Sequence, residues 1–174
     1  VSATGMIVFT RMPSGPHSLA AAREMALSAD LTAAYMPRIG TLLAMGVEPE
    51  LANVVDTAVK ARRLIDEMAT DRIRIVLDPA NLFEIETADV RERLVDEAID
   101  LLGDRFAMAH AKDRDAQGHF VAAGRGVIDF DHFVRRLKDA GFSGPLVTHG
   151  LAADEAADVA AFLKKTLGDA GIDH

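Results

Sequence analysis

The sequence predicts an α/β fold of parallel strands covered by helices. Two observations predict it. Short β-branched runs alternate with amphipathic stretches, giving about five strand–helix units, and strict alternation of this kind favours parallel pairing. Four of the apolar runs also end in an Asp, Glu or His at intervals of about one unit.

The elements follow in order. Gly5 to Thr10 reads as a short strand. Residues 18–36 are Ala-rich with helical spacing, closed by Pro37. Thr41 to Val47 reads as a strand. From Glu50 to Met68, apolar residues recur at 3.6-residue spacing: Leu51, Val54, Val55, Ala58, Ala61, Leu64, Ile65 and Met68. That spacing predicts an amphipathic helix. Ile73 to Leu77 is nearly all β-branched or aliphatic, as in a strand buried on both faces. Val90 to Leu102 is the next helix, ending at Gly103. Phe106 to Ala109 is a strand. Asp129 to Ala140 is a helix, with Asp129 as N-cap and Gly141 as stop. Pro145 to Thr148 is a strand, and Asp154 to Leu167 is the last helix. An open doubly wound sheet and a (β/α)8 barrel both fit. No G-x-G-x-x-G follows the first strand, so the phosphate turn of a dinucleotide fold is absent. Five units fall short of an eight-stranded barrel, which takes about 250 residues.

Composition narrows the function classes. The chain has 174 residues, 49% hydrophobic and 26% charged. That suits a single globular domain over 1–174. No apolar run approaches the roughly 18 residues of a membrane span, and no leader pattern opens the chain. Without cysteine there are no disulfides, thiolate ligands or cysteine nucleophile. A cytoplasmic protein without a membrane partner is expected. The net charge is -8, with 19 basic against 27 acidic residues, and the aromatic fraction is 5%. A basic face and stacking platform for nucleic acid are both missing, so no nucleic-acid partner is expected.

The candidate site lies at the strand ends. Val47 leads to Glu48, Leu77 to Asp78, Ala109 to His110 and Thr148 to His149, at separations of 30, 32 and 39 residues. Each would therefore sit at the same end of a neighbouring strand, where parallel α/β folds build their sites. Each has a plainer reading. Glu48 suits a helix N-terminus, Asp78 a turn, His110 a core position and His149 a loop. The coincidence of all four favours a divalent metal with oxygen and nitrogen donors.

Five segments, in order, resemble the sugar phosphate isomerase/epimerase family of xylose isomerase-like TIM barrels. They are Val47-Glu48-Pro49-Glu50-Leu51-Ala52-Asn53, Val76-Leu77-Asp78-Pro79-Ala80-Asn81-Leu82-Phe83, His110-Ala111-Lys112-Asp113, Gly124-Arg125-Gly126-Val127-Ile128-Asp129-Phe130, and Phe142-Ser143-Gly144-Pro145-Leu146-Val147. The resemblance covers about residues 41–168. It implies a (β/α)8 barrel present in part, as its C-terminal portion of about five units with the N-terminal strands missing. Such a portion needs the rest of the chain, a partner or a second copy to close, or it is a binding remnant. A homo-oligomer is among the expected arrangements.

The resemblance also implies one divalent metal held by a Glu, an Asp, a His and a second Glu. Glu48, Asp78 and His110 take the first three roles. The fourth falls on His149, a departure that tilts the site towards Mn2+, Co2+ or Zn2+ rather than Mg2+. The implied reaction is isomerisation or epimerisation of a small sugar or keto-sugar by proton abstraction beside a carbonyl, through an enediolate. Glu48 is the base. Because His149 replaces the second Glu, Lys112 or a water supplies the conjugate step. Lys112 either contacts a substrate oxygen or pairs with Asp113, which is expected to brace the loop. Asn81 and Arg125 are candidate substrate-binding residues, and Arg125 alternatively faces solvent. Gly124 and Gly126 allow a tight loop beside the site. A dehydratase of inosose type on the same scaffold is the alternative. The related endonuclease acting at abasic DNA needs more His and Glu and a basic groove.

Overall fold

A computed structural model describes residues 5–9 and 45–172. The helix expected over 18–36 and the first part of the strand expected over 41–47 lie outside them.

Five strands form the main sheet: β1 (Gly5–Phe9), β2 (Met45–Val47), β3 (Ile73–Leu77), β4 (Phe106–His110) and β7 (Leu146–Leu151), in the spatial order β1-β7-β4-β3-β2. The pairs β2/β3, β3/β4 and β4/β7 are parallel, as the alternation predicts. β1 differs. It runs antiparallel to β7, from Gly5 opposite Leu151 to Phe9 opposite Leu146. Pairing there covers a β7 edge whose N–H and C=O groups would otherwise be open.

Four helices are described. The first, α1 (Ala58–Met68), begins eight residues later than the periodicity predicts. Glu50, Asn53 and Val55 close a local turn instead: Asn53 N–H donates to the Glu50 carbonyl at 2.8 Å, and Asn53 Nδ2 donates to its side chain at 3.1 Å. Such local bonds compete with the helix. Thr57 then caps α1, its Oγ1 accepting Lys60 N–H at 3.2 Å. Ala58, Ala61 and Ile65 face the core, whereas Val54, counted among the apolar stripe, is 92% exposed.

The helix α2 (Ala88–Leu102) buries Val95, Ala98, Ile99 and Leu102. In α3 (Phe130–Asp139), Asp129 is the N-cap and accepts His132 N–H at 2.8 Å. Phe130, Phe133, Val134 and Leu137 are buried. The left-handed Gly141 follows α3, as expected of a stop. The last helix, α4 (Ala156–Asp169), buries Val159, Leu163 and Leu167.

Between β4 and α3 lies a hairpin that the periodicity does not predict, β5 (Lys112–Arg114) with β6 (Phe120–Ala122). The helices pack on one sheet face, where Ile73, Ile75 and Leu77 join the main core. Burial of each such side chain contributes about 1.5–3 kcal/mol. Val76, Met108 and Val147 form a separate small cluster on the opposite face. That inner face carries the site.

Candidate metal centre

Side chains alternate along a strand, so residues two apart share a face. Asp78 follows Val76, His110 follows Met108 and His149 follows Val147 at that interval. All three ligand candidates therefore stand above the inner apolar cluster. Their donor atoms lie within 4.8 Å of one another. The His110 and His149 rings meet edge to face, with centroids 4.7 Å apart. His110 is the last residue of β4. His149 lies within β7 rather than in the loop after it, because the strand continues to Leu151.

Asp78 is 1% exposed and caps the short 3-10 turn Pro79–Asn81, its Oδ1 accepting Ala80 N–H at 2.9 Å. Its other oxygen, Oδ2, is buried without a hydrogen-bond partner among the described residues. It lies 3.6 Å from His110 Nδ1, beyond hydrogen-bond length but close enough to pair electrostatically. A buried carboxylate oxygen left open beside two imidazoles is the pattern a cation would complete. One carboxylate with two imidazole nitrogens suits Zn, Mn or Co better than Mg.

Glu48, expected as one of four ligands, follows β2 and stands beside the group, outside the three residues whose donor atoms lie together. Its Oε1 lies 3.1 Å from His110 Nδ1 and accepts Asn81 Nδ2 at 2.9 Å. Asn81 is itself buried, and its Oδ1 has no partner among the described residues. Asn81 thus holds the Glu48 carboxylate, a positioning contact between side chains 33 residues apart.

The electrostatics separate the two histidines. Burial lowers the His110 imidazole, but the Asp78 and Glu48 carboxylates outweigh it and push it up to about 9. Burial and the neighbouring His110 push His149 down, which leaves it neutral at physiological pH. Burial raises Glu48, yet His110, with His149 and Lys112 adding charge, holds it below its ordinary 4.5. Glu48 is therefore ionised at neutral pH.

Asp113 braces the loop. Fully buried, it accepts the backbone N–H groups of Arg114, Gly124, Gly126 and Ile128. Burial raises its carboxyl, against the pull of those donors. A Cβ on Gly126 would stand 2.0 Å from the Arg114 carbonyl oxygen, so only glycine fits. Lys112 does not pair with Asp113. Its ammonium lies 3.3 Å from the centroid of Phe120. Arg125 is exposed and pairs with Asp158 of α4 at 3.1 Å, so its described partner belongs to a helix and not to the metal group.

Arg114 is a contributor the sequence did not flag. Only 8% exposed, it donates from Nε to the Ala80 carbonyl at 2.6 Å and from Nη1 to the Gly118 carbonyl. It thereby ties the hairpin to the Asp78–Asn81 turn. An Arg four residues after a histidine strand end has no local signature, and only tertiary contact reveals its use.

Three solved structures share the fold. A xylose isomerase domain protein from Planctomyces limnophilus aligns with TM-score 0.59 and 18% identity, covering 74% of this chain and 46% of that one. A D-tagatose 3-epimerase-like protein aligns with TM-score 0.57 and 16% identity, covering 74% and 47%. A 3-keto-D-glucoside 4-epimerase from E. coli, in its apo form, aligns with TM-score 0.54 and 19% identity, covering 70% and 46%. The chain thus spans about half the length of these structures, and at such identities the likeness shows the fold alone. No curated protein sequence matches significantly. Among the described residues no helix is long and apolar enough to cross a membrane. The sequence matches the family described as "Xylose isomerase-like TIM barrel" over residues 4–166, and with the partial parallel sheet and its strand-end site the chain belongs to that family.

Proposed function

We propose that this chain carries the metal-site portion of an isomerase or epimerase acting on a small sugar or keto-sugar in the cytoplasm. The observation that carries the reading is the open Asp78 Oδ2, buried beside His110 and His149 at the carboxyl ends of adjacent strands. Asp78, His110 and His149 would hold a divalent ion, Zn2+, Mn2+ or Co2+, with Glu48 beside them as fourth ligand or free base. When bound, the ion supplies positive charge that lowers the cost of removing a proton next to a carbonyl.

The residues divide the remaining work. Glu48 is the proton acceptor: it is ionised, fixed by Asn81 and close to the ligand group. Its hydrogen bond from Asn81 leaves Oε2 available to a substrate C–H. His149 is neutral and serves as ligand. Lys112 places a positive charge at the rim. Arg114 and Asp113 keep the hairpin and the glycine loop in position.

The test is metal analysis of the purified protein, then a panel of ketoses and inososes with the bound metal present. One equivalent of metal, lost in Asp78→Ala together with conversion of an accepted substrate, supports the reading. No metal in the unsubstituted protein, with Asp78→Ala indistinguishable on any accepted substrate, removes it. Loss of water from an inosose with no epimer formed would move the assignment to a dehydratase.

A further inference from the structure

Arg114 is a buried cation, and among the described residues no carboxylate pairs with its guanidinium. A guanidinium taken out of water without a counter-charge is costly unless its N–H groups are matched. Two backbone carbonyls match them, and the Phe120 ring covers the group at 3.9 Å from its centroid. The two carbonyls belong to different parts of the chain. That of Gly118 lies in the hairpin turn, where Gly118 N–H donates to the Asp115 carbonyl at 3.1 Å and Asp115 N–H to the His119 carbonyl at 2.9 Å. That of Ala80 lies in the turn that follows Asp78.

The Ala80 turn carries both halves of the candidate site. Ala80 is wholly buried, and its N–H donates to Asp78 Oδ1. With Oδ1 so held, Oδ2 is the oxygen left open beside His110. One residue on, Asn81 reaches the Glu48 segment twice. Its Nδ2 donates to Glu48 Oε1 at 2.9 Å, and its carbonyl accepts Leu51 N–H at 3.3 Å. A 3-10 turn of three residues has few bonds of its own. Its position is therefore set from outside, by Arg114 on one side and the Glu48 segment on the other. Without the guanidinium the buried Ala80 carbonyl loses that donor, and the turn must shift to recover one.

We propose that Arg114 is a positioning residue of the metal centre: by holding the Ala80 carbonyl it fixes Asp78 Oδ2 and Asn81, and it couples closure of the hairpin β5–β6 to occupancy of the site. This rests on the reading of the site given above. Arg114 acts through the peptide backbone and not on the ligand atoms. The coupling runs both ways, because an ion that holds Asp78 also holds Ala80, and through Arg114 the Gly118 carbonyl.

The experiment uses the 174-residue chain with and without zinc. Competition with a chromogenic chelator measures zinc affinity, and NMR measures amide exchange. Arg114→Met should bind zinc about tenfold or more weakly, the size typical of losing a group that orients a ligand. Arg114→Lys keeps the charge but not the planar fork, and should fall between Arg114→Met and the unsubstituted protein. In the unsubstituted protein zinc should slow exchange of the Asp115 and Gly118 amides several-fold, and in Arg114→Met that slowing should vanish. A brace of the hairpin alone would speed those amides without moving zinc affinity, and that result overturns the proposal. So does slowing by zinc that survives the substitution. Should Arg114→Met fail to fold, Phe120→Leu, at a position 44% exposed, loosens the guanidinium and keeps its charge. It should weaken zinc binding by a few-fold and shrink the slowing, and no change in either overturns the proposal. Zinc bound equally well by Arg114→Met defeats this inference and leaves the metal reading standing. Failure of the unsubstituted protein to take up zinc defeats the metal reading, and the zinc-free Ala80 amide then reads Arg114. Exchange of that amide about tenfold faster in Arg114→Met supports the positioning, and unchanged exchange overturns it.

Discussion

Nδ1 of His110 lies 3.1 Å from Oε1 of Glu48, and this contact gives the metal-free protein a defined pH dependence. The His110 pKa rises from 6.5 to about 9 on folding. A group whose folded pKa is raised stabilises the fold fully below its unfolded pKa, and the contribution fades as pH climbs through the folded value. Glu48 works in the opposite sense: its depressed pKa gives stability present above 4.5 and lost as pH falls. Chelator-treated protein should therefore lose on the order of 2–3 kcal/mol between pH 6.5 and pH 10 through His110. Urea unfolding at stepped pH measures it. A His110→Gln variant should flatten the alkaline limb, and an unchanged midpoint for the unsubstituted protein from pH 6.5 to 10 would show the contact to be absent.

The same proton competes with a metal. A ligating imidazole must be neutral, and His110 below about pH 9 carries a proton in the metal-free state. Zinc binding at pH 7.5 should release about one proton per ion. His149, already pushed to its neutral form, should contribute none. Calorimetric titration in two buffers of different ionisation enthalpy counts the protons. A count of zero would mean that His110 is not displaced from its carboxylate partners.

The parts of this site that could be read in the sequence are those set by a two-residue period. Val76 and Asp78, Met108 and His110, Val147 and His149 each pair an inner apolar residue with a candidate ligand near the strand end, and the spacing places them on adjacent strands. The Asp113 brace and the glycine loop were also legible, through the resemblance of the His110-Ala111-Lys112-Asp113 and Gly124-Arg125-Gly126 segments to the family. The hairpin β5–β6 was not. Lys112-Asp113-Arg114 has no apolar alternation, and the strand exists because Asp113 and Arg114 find partners far along the chain. The late start of α1 was hidden too, since Val54 and Leu51 keep the helical spacing while Asn53 closes a turn on Glu50. The antiparallel β1 follows from edge pairing, which no local pattern encodes. The Asn81 contact to Glu48 spans two strand ends and could be seen only once they were side by side.

Two glycines separate steric from conformational cost. At Gly126 an added Cβ would sit 2.0 Å from the Arg114 carbonyl and 2.4 Å from Asp113 Oδ1, both fixed atoms. Gly126→Ala should cost about 3 kcal/mol or more, because the loop must move and break its bonds to Asp113. At Gly150 nothing lies within 4 Å, but φ is +75°. Gly150→Ala should cost only about 1 kcal/mol, the penalty of a left-handed alanine. Thermal unfolding of the two variants side by side decides the matter, and equal losses would refute the close approach at Gly126.

Asp113 is the residue on which the loop after β6 depends. It accepts Gly126 N–H at 2.9 Å and three further backbone donors, and the carboxylate is fully buried. Removing the acceptor leaves several donors unsatisfied, each costing about 1–3 kcal/mol. Asp113→Ala should lose about 4 kcal/mol or more of stability. Asp113→Asn keeps the shape but turns an NH2 group towards donors, and should lose about 2–3 kcal/mol. Because the loop begins beside Lys112 of β5, both variants should also expose amides 124–128 to faster hydrogen exchange while the helix core of α2 stays protected. Exchange confined to the loop supports a local brace. If Asp113→Asn were as stable as the unsubstituted protein, the four-donor arrangement would not be what holds the loop.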